Sequence, residues 1–273
     1  IKILKRLFAK HGITPRQGWG QNFLVSSTIL EKIIEAADIK KTDRILEVGG
    51  GAGTLTQELA RRAKEVTVIE KDPELVLVLK DALRGFKNVK IVEGDVLKLD
   101  ALPYSQSKAP WRIVSNIPYW ITGRFLRHAL ESKNPPTEIL LMLQKEIAER
   151  ICAQPPRMSL LAVSVQYYGT PEILINNILP DNFWPPSGVD SAIIKIKVGE
   201  SIPPKKGSAK FFTVVRAGFA HPRKQLRANL KRALKLDSQT IDDCFTHYGI
   251  KTTARAQELS VRNWECLAAE IKL

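Results

Sequence analysis

Sulfur is scarce in this sequence, and what there is stands apart. Cys152, Cys244 and Cys266 are odd in number and never form a Cys-x-x-Cys pair, which excludes a disulfide framework and a cysteine-built zinc site. No metal is expected. Long apolar runs are missing as well: none approaches the roughly 18 uninterrupted apolar residues that a membrane span needs. Residues 1–10 carry too much charge for a secretory leader. The reading is a soluble, cytoplasmic protein with no membrane partner. With 273 residues and 44% hydrophobic content, the chain can bury a sizeable core, which excludes disorder for the bulk of it.

Acidic residues are missing in two places. Residues 1–20 hold five Lys/Arg and no acid, and residues 201–273 hold fourteen Lys/Arg against six Asp/Glu, with no acid at all from 222 to 236. These segments contribute +5 and +8 of the net +14, while the 180 residues between them, with 23 basic and 22 acidic side chains, are almost neutral. Positive charge at both ends of a neutral body suits a surface that grips phosphates, because each neutralised phosphate releases counterions.

What is present alternates. Short β-branched runs at residues 44–48, 65–70, 89–93, 111–115, 138–143, 161–168 and 191–198 are read as strands, with helices such as 54–63 and 73–83 between the early ones. Strands separated by helices of this length imply right-handed βαβ units and a mostly parallel, doubly wound sheet. The segment Ser201-Ile202-Pro203-Pro204-Lys205-Lys206-Gly207 then breaks the pattern and is read as a linker. The expectation is an α/β domain over residues 1–200 and a small helical domain over 201–273.

Glu47-Val48-Gly49-Gly50-Gly51-Ala52-Gly53 stands where the first of these strands turns into a helix. Glycines there let a ligand approach the backbone. A dinucleotide fingerprint needs Gly-x-Gly-x-x-Gly, and counting from Gly49 its last position is Thr54, so the pyrophosphate reading fails. A tight strand–helix turn needs glycine even without a ligand. Two further features favour a nucleoside. Glu70 ends the second strand, where a carboxylate can accept from both ribose hydroxyls, and Asp95 closes the third, where one can take a hydrogen bond from an adenine amine. The segment Glu47-x-Gly49-x-Gly51-x-Gly53 resembles the first motif of the class I S-adenosylmethionine methyltransferases, which implies that methyl donor rather than NAD.

The fourth strand runs into Asn116-Ile117-Pro118-Tyr119. An adenine N6 amine is a poor nucleophile because its lone pair is delocalised into the ring. Acceptors that hold its N–H groups, the Asn116 side-chain oxygen and the Ile117 carbonyl, favour a more tetrahedral nitrogen; Pro118 stiffens the turn and Tyr119 offers a face for the base. Orientation of the amine in line with the methyl–sulfonium bond carries the catalysis. This tetrapeptide resembles the Asn/Asp/Ser-Pro-Pro-aromatic motif of amino-methyltransferases acting on nucleic-acid bases, with Ile117 in place of the first proline.

Three more segments make the chain similar to the rRNA adenine N6,N6-dimethyltransferase family along nearly its whole length. Gly20-Gln21-Asn22-Phe23-Leu24 resembles the family's N-terminal cofactor motif, which implies that Asn22 and Leu24 touch the donor. Phe183-Trp184-Pro185-Pro186-Ser187-Gly188-Val189-Asp190-Ser191 resembles its Phe-x-Pro-x-Pro-x-Val-Asp-Ser segment, which implies that Phe183 stacks on the adenine opposite Tyr119. The run from Gly218 through Arg223-Lys224-Gln225-Leu226-Arg227-Ala228-Asn229-Leu230 resembles its basic C-terminal helix. Gly50, Ala52 and Ser187 stand where the family usually has proline, leucine and proline. Read without the family, Arg223, Arg227, Lys231 and Lys235 recur every four residues on one face of that helix, and Phe219, Leu226, Leu230 and Leu234 line another. Arg223, Lys224, Arg227 and Lys231 are thus expected to meet RNA phosphates. The resemblance implies a monomer that dimethylates two adjacent adenines in the 3′-terminal hairpin of small-subunit rRNA on immature small subunits. The alternatives are an Erm-type methyltransferase of large-subunit rRNA and a non-catalytic RNA-binding assembly or transcription factor on the same fold.

Overall fold

The computed structural model describes residues 1–199 and 205–271. In chain order its strands are β1 (Phe23–Leu24), β2 (Arg44–Val48), β3 (Glu65–Glu70), β4 (Val89–Glu93), β5 (Arg112–Asn116), β6 (Glu138–Gln144), β7 (Gly169–Ile178), β8 (Phe183–Trp184) and β9 (Ser191–Val198). The helices are α1 (Lys2–Lys10), α2 (Ser27–Ala37), α3 (Thr54–Arg62), α4 (Pro73–Ala82), α5 (Thr122–Leu130), α6 (Lys145–Ile151), α7 (Leu160–Gln166), α8 (Lys205–Gly218), α9 (Leu226–Leu234), α10 (Ser238–His247) and α11 (Val261–Glu270).

Local chemistry sets several of these boundaries. Ser26 caps α2 by accepting from the Ile29 amide, and Asp72 caps α4 by accepting from Glu74, with Pro73 in the first turn where its missing N–H costs nothing. Ser159 does the same for α7, accepting from the Ala162 amide at 3.1 Å. That cap overturns the strand expected at residues 161–168. The run is apolar enough for either element, but Ala162, Val163 and Val165 bury one face of a helix, and the strand β7 begins only at Gly169. Of the expected linker, residues 201–204 lie outside the described residues, and α8 has begun by Lys205.

Seven strands form one sheet in the order β4-β3-β2-β5-β6-β9-β7. β2 runs parallel to both β3 and β5, β3 to β4, and β5 to β6, whereas β9 is antiparallel to β6. This is the expected α/β, mostly parallel, Rossmann-like sheet. Chain order reverses between β2 and β5, so a crevice opens at their carboxyl ends.

The chain divides into two compact units, residues 1–148 with 172–198, and residues 149–171 with 199–273. Residues 149–171, expected in the first domain, group with the second. The second unit is helical, and close approach of α8, α9 and α11 holds it together. A Cβ on Gly218 would sit 2.3 Å from Trp264 and 2.8 Å from Leu226, and Trp264, Leu226, Leu230 and Phe245 are fully buried.

Candidate active site

The crevice at the switch point is built by ties between neighbouring strand ends. Ser115 on β5 donates from Oγ to the Val48 carbonyl at 2.6 Å and accepts from the Val48 amide at 3.2 Å, which fixes the end of β5 against the end of β2. The Gly49 amide donates to the Ile69 carbonyl at 2.8 Å, tying the glycine turn to β3. Within that turn Gly49, Gly51 and Gly53 have φ of +77°, +54° and +78°, a region closed to most side chains. A Cβ on Gly49 would stand 3.3 Å from Pro118, and one on Gly51 3.0 Å from the Phe23 ring.

Glu70 closes the turn from the side. Its two oxygens accept from the Gly51 and Asp72 amides, each at 3.0 Å. Burial pushes its pKa above the usual carboxylate range, against the pull of those amides. Glu47 is more extreme, 1% exposed with Oε2 lacking a hydrogen-bond partner among the described residues. Its pKa is pushed up to about 8, first by burial and further by the charge of Glu70. The Thr56 hydroxyl opposes the rise, but among the described residues Thr56 Oγ1 has no hydrogen-bond partner, so its relief is that of a nearby dipole and burial dominates.

One cavity unites most of the expected residues. Its wall includes Asn22, Leu24, Glu47, Gly49, Gly51, Glu70, Asn116, Ile117, Pro118 and Tyr119. Tyr119 is held by a 2.6 Å hydrogen bond between its hydroxyl and Ser191 Oγ, and burial raises its pKa, so it stays neutral. The N-terminal loop is anchored by Gln21, which accepts from the Arg16 amide at 2.8 Å and donates to Asp72 at 2.7 Å.

Three expected residues are not on the wall. Gly53 serves as the N-cap of α3. Asp95 caps a short turn through the Leu97 amide at 3.0 Å and pairs with Lys71 at 3.1 Å; although burial works the other way, these two partners hold its pKa low. Phe183 corrects the expectation of an adenine-stacking ring. It is 2% exposed and sits in the core with Ile29, Ile33 and Leu140, because β8 pairs with β1 in the register Leu24↔Phe183. Trp19, Lys71 and Trp120 also stand on the wall, outside every motif of the sequence analysis. The signal for Trp120 was its place directly after Tyr119.

The expected basic helix is two helices. α8 ends at Gly218 and α9 starts at Leu226, so Arg223 and Lys224 lie in the turn between them and Lys235 is a left-handed C-cap. The four-residue stripe is therefore interrupted at both ends. Asn229 stabilises that turn, donating to the Gly218 and His221 carbonyls at 2.6 and 3.0 Å. Arg223, Lys224 and Lys231 are exposed, with Lys231 donating to Ser238 at 2.9 Å. Arg227 instead forms a two-pronged pair with Asp242, both contacts 2.6 Å.

The wall suits S-adenosylmethionine, a nucleoside whose ribose hydroxyls need acceptors. Glu70 is such an acceptor on the wall, beside a glycine cradle that side chains would fill.

Comparison with known proteins agrees. The family described as "Ribosomal RNA adenine dimethylase" matches residues 13–272. Proteins described as "Ribosomal RNA small subunit methyltransferase A" are similar along nearly their whole length. That of Dehalococcoides mccartyi strain 195 is 37% identical, covering 96% of this chain and 90% of its own. That of Streptococcus equi subsp. zooepidemicus is 37% identical, covering 99% and 96%. Among solved structures, a dimethyladenosine transferase from Plasmodium falciparum superposes with a TM-score of 0.78 at 27% identity, over 90% of this chain and 95% of that one. The 23S rRNA methyltransferase ErmE gives 0.73 at 27% identity, over 91% and 99%.

Proposed function

Because the chain belongs to the ribosomal RNA adenine dimethylase family, we propose that it methylates the N6 amines of two adjacent adenines in the 3′-terminal hairpin of small-subunit rRNA, twice each. The observation that carries this reading is the juxtaposition of Asn116-Ile117-Pro118-Tyr119 with the glycine turn and Glu70 on one cavity wall. S-adenosylmethionine, when bound, supplies an electrophilic methyl carbon on a sulfonium. Asn22, Leu24, Gly49, Gly51 and Glu70 are the residues to hold that donor, and Asp95 pairs with Lys71 of the same wall.

On the acceptor side, the Asn116 amide oxygen and the Ile117 carbonyl take the N–H groups of the amine, so its nitrogen lone pair turns toward the cavity. The Tyr119 ring, locked by Ser191, presents a face to the base. No strong general base is required, since an N-methylated cationic amine is acidic enough to lose its proton to water. The target base must leave its stack, which an unpaired loop permits cheaply. Arg223, Lys224 and Lys231 of the second unit are the phosphate contacts in this reading, and the chain acts as a monomer on immature small subunits.

The test is methyl transfer from labelled S-adenosylmethionine to immature small and to large ribosomal subunits, with mass spectrometry of the rRNA. Dimethyladenosine in small subunits alone, lost in Asn116→Ala, is the expected result. Transfer to large subunits instead would make the chain an Erm-type enzyme, and transfer retained in Asn116→Ala would refute the acceptor site.

A further inference from the structure

Among the described residues, two tryptophans are well exposed, Trp19 at 47% and Trp120 at 54%, while Trp111 and Trp264 are buried. Isolated exposed apolar side chains are ordinary on protein surfaces. These two are not isolated, because both stand on the wall of the same cavity. Each also has a cation over its ring, Arg16 at 5.3 Å from Trp19 and Lys71 at 5.5 Å from Trp120.

The surroundings of Trp120 are the more informative. Lys71 is fixed by Asp95 at 3.1 Å, so the ammonium that attracts the indole is itself anchored. Gly20 approaches the same ring, its φ of +67° turning the backbone so that a Cβ there would lie 3.9 Å from Cδ1 and Nε1. The indole is thus positioned from two sides and still more than half exposed. Its chain position places it beside the acceptor: it follows Tyr119 directly, and the exposed Arg124 comes four residues later at the start of α5. A positioned, solvent-facing aromatic ring with cations nearby is the arrangement by which proteins hold unpaired bases, since every base has a π-face and stacking tolerates any sequence.

We propose that Trp120 is a positioning residue for RNA, a platform on which the unpaired nucleotide next to the target adenine stacks. This rests on the function proposed above and adds a residue to it. With two adjacent target adenines, the neighbour on the platform is itself a purine, the base type with the largest stacking surface. Holding it would set which base enters the cavity and would leave the donor untouched.

The variants are Trp120→Ala and Trp120→Phe in the full chain, assayed on immature small subunits with labelled S-adenosylmethionine. Base–aromatic stacking of ordinary strength corresponds to a rise in KM for the subunits of about 10-fold in Trp120→Ala, with kcat changed less than about twofold. Trp120→Phe keeps a ring and should restore KM to within about threefold of the original. Donor affinity by calorimetry should be the same in all three proteins. An oligoadenylate should quench indole fluorescence in the unmodified chain, and much of that quenching should vanish in Trp120→Phe. Unchanged KM in Trp120→Ala overturns the proposal, as does weakened donor binding with KM intact, which would assign the ring to the donor. If the unmodified chain transfers no methyl group at all, the functional reading fails, and oligoadenylate quenching still reports whether Trp120 stacks bases.

Discussion

Glu70 holds the glycine turn by its backbone: the carboxylate at the end of β3 accepts from the Gly51 amide at 3.0 Å and from the Asp72 amide at the same distance. One side chain thereby sets both the cradle and the cap of α4. Glu70→Ala leaves two buried N–H groups unpaired, at a cost of about 1–3 kcal/mol each. The expected result is a lower urea midpoint together with loss of donor binding in calorimetry. Glu70→Gln retains one acceptor oxygen and should fall between. A variant as stable as the original, binding the donor equally well, would show that the turn is held by something else.

Glu47 gives the protein a pH dependence that runs opposite to most carboxylates. Its pKa is raised from 4.5 to about 8 in the folded chain, so between these values the folded state binds a proton that the unfolded state has lost. Stability therefore falls as pH rises through that window, by up to about 1.4 kcal/mol per pH unit from this group alone. Glu47→Gln is neutral at every pH and removes the term. Denaturation of the two proteins at pH 5, 6.5 and 8 should show the variant gaining relative to the original at each step. Parallel pH profiles would mean that Glu47 is ionised in the fold.

The early strands were legible because each pairs a β-branched run with a terminal acid or glycine, as in Arg44–Val48 followed by Gly49 or Glu65–Glu70. The site followed from their order, since strand ends at a switch point converge whatever the details of packing. Misreadings fall where a distant partner decides. Nothing near Phe183 in sequence reveals that pairing with Leu24, 159 residues earlier, carries its ring into the core. The four-residue recurrence of Arg227 is equally blind to Asp242 on another helix. Residues 161–168 failed for a local reason, because a short apolar run fits a strand or a buried helix and only the Ser159 cap separates them.

Gly50 stands where the family usually has proline, and the structure explains why this chain has no side chain there. A Cβ would lie 2.4 Å from Val68 Cγ2 and 3.1 Å from Leu79, although the backbone at Gly50 is not in the left-handed region. The glycine is needed for space. Gly50→Ala is expected to cost about 1–3 kcal/mol through overpacking, and Val68→Ala in the same chain should recover much of it. The double-mutant cycle over thermal or urea unfolding should thus give a coupling that favours the pair. Additive losses would show that the two positions do not compete.

The basic residues of the second unit should separate into two kinds. Arg223 and Lys224 are exposed in the turn before α9, whereas Arg227 is engaged through both prongs by Asp242. A side chain that meets a phosphate releases counterions on binding, so removing it lowers the slope of log affinity against log salt by about one per contact. Arg223→Ala and Lys224→Ala should each flatten that slope for small-subunit rRNA and leave the melting temperature unchanged. Arg227→Ala should do the reverse, lowering the melting temperature by loss of a tie between α9 and α10, with Asp242→Asn producing a similar drop. Equal flattening by all three basic variants would mean that Arg227 exchanges its carboxylate for phosphate when RNA binds.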